Sequence, residues 1–128
     1  MSFVLAARLL LYAQMVLGIL QSPGVLNGVT GILHTHRTLA FVIPAVAFWA
    51  FRPLAGVPGG FVRTAARFGP LVALVVGSLN WVGFKMLGAI PVEAYLSIMA
   101  VHIVVSLATV AFVEIAAGKQ RRARAGSA

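Results

Sequence analysis

The sequence predicts an all-α integral membrane protein, a bundle of four transmembrane helices running up-down-up-down with both termini in the cytoplasm. Three observations carry this. Of 128 residues, 61% are hydrophobic and only 9% are charged, far from the composition of a soluble domain. Four apolar runs succeed one another with short connections, which favours neighbouring antiparallel helices. The basic residues fall unevenly between those connections, and that asymmetry sets an orientation.

The first run covers about Ser2 to Leu20, enough to cross roughly 30 Å of hydrocarbon at about 1.5 Å per residue. It has the length of a signal peptide but no Ala-x-Ala-like exit, and three further spans follow, so it reads as a retained helix. Gln21-Ser-Pro-Gly24 breaks it. Pro23 suits a first helical turn, so the second span is expected from Val25, with its apolar body from His36 to Phe51 and a kink at Pro44. Arg52-Pro-Leu-Ala-Gly-Val-Pro-Gly-Gly60 is a turn-rich loop, and Arg63 and Arg67 precede a third span from about Phe68 to Met86. Gly88-Ala-Ile-Pro91 connects to the fourth, Val92 to Ala117, with Glu93 in its first turn. Residues 1–118 thus form the membrane domain, and 119–128, containing Lys119-Gln-Arg-Arg-Ala-Arg124, a disordered basic tail.

Arg52, Arg63 and Arg67 flank the second connection and Lys119, Arg121, Arg122 and Arg124 the tail, while the first and third connections carry almost no charge. The positive-inside rule puts both termini in the cytoplasm, with a bacterial or archaeal plasma membrane as the expected location. The net charge of +8 is therefore assigned to topology and lipid headgroups, and no nucleic-acid partner is expected. With no cysteine there is no disulfide and no thiolate metal site, so a metal here must rely on histidine.

The three histidines are His34, His36 and His102. His36 stands 16 residues before Arg52 and His102 17 before Lys119, which places both rings roughly 25 Å above the inner boundary. Two axial ligands of one haem need such a common depth, because the iron takes imidazole nitrogens at about 2 Å on opposite sides. His34 precedes His36 by two residues, a rotation of roughly 200° on a helix, so only one of the two can face inward. Depth alone does not choose between them. The ordinary alternative is that each histidine merely hydrogen-bonds across helices. Without nearby carboxylates, iron or zinc lacking a porphyrin would have incomplete coordination.

Other positions suit a flat anionic cofactor. Gly18, Gly77 and Gly83 allow close approach of a ring or a helix, and Arg37 and Lys85 stand where cations meet haem propionates, or simply snorkel to phosphates. A loose repeat adds to this. Gln14 and Gly18 precede His36 much as Asn80 and Gly83 precede His102, so each hairpin carries an amide, a glycine and a histidine. Glu114 lies 12 residues, roughly 18 Å, below His102, and is expected to pair with Arg8, Arg52 or Arg67.

His36-Arg-Thr-Leu-Ala40, Gln14-Met-Val-Leu-Gly18 and Val101-His-Ile-Val-Val105 together resemble one four-helix half of the haem A synthase family. Its members look like two fused four-helix bundles, each with a His-Arg pair on its second helix and a histidine on its fourth. The resemblance covers nearly the whole chain and implies that His36 and His102 ligate one haem, leaving His34 as the fallback ligand. Two departures bear on activity: Leu33 stands where the family has a glutamate one turn before the His-Arg pair, and the cysteine pair of many bacterial members is missing.

The expected function is accordingly a b-type cytochrome that binds haem b through His36 and His102 and passes electrons, with a quinol or other membrane subunits as partners. No catalytic residue is assigned. A half-size haem A synthase acting as a homo-oligomer is the enzymatic alternative. A non-catalytic subunit of a respiratory or photosynthetic complex, carrying bacteriochlorophyll or no pigment, is the third.

Overall fold

The computed structural model describes residues 2–21, 25, 28–57 and 59–126. Its elements, in order, are α1 (Phe3–Leu20), α2 (Thr30–Ala50), α3 (Phe61–Ser78), a π-helical continuation of α3 (Leu79–Met86) and α4 (Val92–Ala125), with no strand among the described residues. All four helical segments are long and apolar enough to cross a membrane. Large apolar side chains face outward along every one of them, for example Leu9 and Val16, Phe41 and Trp49, Leu71 and Val75, Leu96 and Val104. An apolar coat of this extent is what a lipid-facing surface needs.

The helices close into a ring in which α1 packs on α2, α2 on α3, α3 on α4 and α4 on α1, while across one diagonal α4 reaches α2 through Gln120 and Ala50 at the end that carries both termini. Cross-helix partners give the antiparallel register. Gly69 lies against Thr109 and Gly77 against His102 between α3 and α4; Arg37 stacks on Trp81 and Phe48 on Phe68 between α2 and α3. The buried core sits at the end that carries both termini. Ala7, Leu11, Ile43, Ala47, Ala50, Phe51, Ala66, Val113 and Ala116 form it, and its alanines let the backbones approach closely. Gln120 is buried below it and donates to the Ala50 carbonyl at 3.2 Å, capping an orphan acceptor at the end of α2. In the opposite half Asn80 alone is buried among the described residues.

Several element boundaries differ from the sequence reading, each for a local reason. Ser2 caps α1, its hydroxyl accepting from the Leu5 amide at 3.2 Å. α2 starts at Thr30 and not at Val25, because Gly28 has φ 91°, a left-handed conformation that no helix passes through. Pro23 lies outside the described residues. Pro44 falls inside α2 without ending it. α3 starts at Phe61 and not at Phe68, directly after Gly60 at φ 97°, so Arg63 and Arg67 lie on the helix itself. The stretch from Lys119 to Arg124, expected to be disordered, belongs to α4, which runs 34 residues, about 51 Å. Arginine, lysine and alanine are strong helix formers, and Gln120 ties this part of the helix to α2.

Candidate haem site

His36 and His102 occupy α2 and α4, one of the two diagonal pairs of the ring. With neighbouring axes about 10 Å apart, diagonal axes stand roughly 14 Å apart, so two inward side chains can approach each other only across the bundle centre. Both imidazoles are half-buried. Their relative height follows from two routes around the ring. Along α3, the pairs Arg37 with Trp81 and Phe48 with Phe68 set His36 about level with residue 81, one turn beyond Gly77, which faces His102. Along α1, Arg8 opposite Glu114 and Gln14 beside His36 set it six residues, about 9 Å, to the other side of His102. The two routes fall on either side of His102.

The surroundings of His102 are specific. Its Nδ1 lies 3.0 Å from the Ala73 carbonyl oxygen. A carbonyl only accepts, so Nδ1 carries the proton and Nε2 keeps its lone pair. That is the tautomer of a metal-ligating histidine whose other nitrogen is held by backbone. Gly77 makes room for the ring: a Cβ there would stand 2.9 Å from Cε1 and 3.1 Å from Nδ1 of His102.

His36 sits against α1. The Gln14 side-chain amide donates to the His36 carbonyl at 3.0 Å and lies 3.4 Å from the ring Nε2, a long contact. The ring Nδ1 and Gln14 Oε1 are buried without a hydrogen-bond partner. Gly18 gives the ring ordinary clearance, with a Cβ 3.5 Å from Cε1. His34 is exposed, on the face of α2 away from His36.

The remaining candidates are dispersed. Arg37 is half-buried with its guanidinium 4.5 Å above the Trp81 ring, joining α2 to the π-helix. Lys85 is exposed near the end of that π-helix. Gly83 packs against Ile90 and faces neither histidine, and Asn80 donates to the Tyr95 carbonyl at 3.1 Å. The proposed repeat therefore holds for Gln14 and Gly18 in the first hairpin but not for Asn80 and Gly83 in the second, where Gly77 takes the glycine's place. Physically, the wider π turn after Ser78 takes Asn80 and Gly83 off the α-helical register that presents Gly77. The π-helix itself was missed in the sequence, which holds no residue pattern that announces one.

Glu114 accepts from both Nε and Nη2 of Arg8, at 2.7 and 2.8 Å, so Arg8 is the partner among the three candidates. Leu33 is half-buried on α2, and Glu93 is exposed at the start of α4. Among the described residues no three His, Cys, Asp or Glu side chains gather as a metal-binding group. Comparison with family models, with curated proteins and with solved structures finds no match to this chain.

Proposed function

We propose that the chain is a membrane b-type cytochrome in which His36 and His102 hold one haem between α2 and α4. The observation that carries this reading is the His102 ring, whose Nδ1 is committed to the Ala73 carbonyl and whose Nε2 is free. The surroundings fit a flat prosthetic group: glycine faces each histidine, no large side chain among the described residues is buried at their level, and one nitrogen of His36 is unclaimed. A chain without cysteine cannot form thioether bonds, so the haem would be held without covalent attachment.

A haem held by His36 and His102 would supply one-electron transfer. The protein's own part is positional. Ala73 fixes the His102 tautomer, and Gln14 binds the His36 carbonyl and tethers α1 to α2 at the ring. The apolar coat favours insertion in the bilayer with both termini on the cytoplasmic side and the histidines in its outer half, where a quinol or a neighbouring subunit would exchange electrons with the site. With Leu33 in place of an acid and Glu93 and Glu114 nine and twelve residues from His102 along α4, no carboxylate stands ready to move protons at the histidines, which favours a carrier over an oxidising enzyme. A pyridine haemochrome assay on protein purified from haem-supplemented cells tests this. One haem b per chain is expected, and colourless protein would remove the reading.

A further inference from the structure

We propose that Arg67, with Arg52 on the next aromatic residue of α2, is a built site for the phosphate of an anionic phospholipid on the outer surface of the α2–α3 seam. Arg67 lies two turns into α3, half-buried, with its guanidinium 3.7 Å above the centre of the Phe48 ring and 5.3 Å from that of Phe68. Its Nε is buried without a hydrogen-bond partner. Stacking of this kind fixes the plane of the guanidinium and leaves its edge to receive a planar or tetrahedral oxyanion.

Neither acidic side chain is available to be that anion. The chain has two acidic side chains; Glu93 lies at the other end of α4, and both oxygens of Glu114 are taken by Arg8. Arg52, just past the end of α2, donates from Nη1 to the Trp49 carbonyl at 2.8 Å and lies 5.6 Å over the Trp49 ring. Two guanidinium groups therefore rest on consecutive aromatic residues of α2. Phe48 and Trp49 are 44% and 58% exposed, so apolar surface for an acyl chain adjoins the cations. A lone snorkelling arginine has neither the ring platform nor the second cation. Net negative headgroups are favoured over zwitterionic ones because two cations meet no compensating acid.

This rests on membrane residence and not on haem. The test is native mass spectrometry of the delipidated, detergent-purified chain titrated with phosphatidylglycerol or phosphatidylcholine. Phosphatidylglycerol is expected to bind the wild type preferentially, and Arg67→Gln to weaken that binding about fivefold. Arg63→Gln, whose guanidinium donates to the Val57 carbonyl, is expected to leave it unchanged. Excess inorganic phosphate is expected not to displace the lipid, and displacement would make this a free-phosphate site and overturn the proposal. Equal binding by Arg67→Gln with a native far-UV circular dichroism spectrum, or equal binding of the two lipids, would also overturn it. If Arg67→Gln does not fold, Phe48→Leu reads the same site through its platform, with weaker binding expected and unchanged binding counting against it. Carbonate washing of membranes separates the two levels: a chain lost in the wash removes the membrane reading as well, whereas a retained chain without lipid preference removes this proposal alone.

Discussion

His102 and Gly77 are in such close register that a single methyl group on the glycine would stand 2.9 Å from the imidazole Cε1. Space for the ring is thus written into α3, and the Ala73 carbonyl one turn away fixes its tautomer. Gly18 stands in a looser relation to His36, at 3.5 Å. Gly77→Ala is therefore expected to destabilise the protein by about 1–3 kcal/mol through overpacking and to lower its haem content. Gly18→Ala is expected to be nearly neutral in both. Thermal melts and haem-to-protein ratios of the two variants check the contrast, and equal effects would contradict the difference in clearance.

The Arg8–Glu114 pair joins α1 to α4 across the seam that closes the ring, with side chains 29% and 32% exposed. Arg8→Gln and Glu114→Gln alone should each leave a charge without its partner in an apolar setting, while the double variant restores neutrality. A double-mutant cycle is expected to give a coupling of roughly 1 kcal/mol, modest because the pair is partly exposed. Additive losses would show that the seam is held by apolar packing instead.

Orientation can be read directly because the chain has no cysteine of its own. Ala55→Cys lies in the connection between α2 and α3, and Ala89→Cys in that between the π-helix and α4; both positions are exposed. In intact cells, a membrane-impermeant maleimide should label position 89 and spare position 55 until the cells are opened. The reverse pattern would invert the orientation argued from the basic residues.

The four long apolar helices and their antiparallel order were legible in the sequence, because uninterrupted apolar run length and short connections leave little else for the chain to form. The opposition of His34 and His36 was legible too, since helix rotation alone decides it. Boundaries were harder. Arg63 and Arg67 read as a flank although they lie within α3, and Lys119 to Arg124 read as a tail although Gln120 anchors them to Ala50. A basic stretch looks the same in sequence whether it is solvated coil or the end of a helix. The glycine facing His102 was among the candidates as Gly77, yet the repeat pointed to Gly83, because the π-helix that separates their registers leaves no mark in composition or spacing. Gln14 entered the sequence reading only as the amide of the repeat, and its contact with His36 needed the packed helices.

His34 provides an internal control for ligation. It is exposed and two residues from His36, so His34→Ala should bind haem as the wild type does. Haem loss in this variant would move the ligand from His36 to its neighbour.

The account turns on His102 as a ligand whose tautomer the Ala73 carbonyl fixes, and the reduced-minus-oxidised absorption spectrum of purified His102→Gly, recorded without and with added imidazole, tests this most directly. The variant is expected to lose the sharp low-spin b-type bands and to recover them when imidazole takes the position of the missing ring. Wild-type bands in the variant without imidazole, or no haem bands in the wild type, would contradict it.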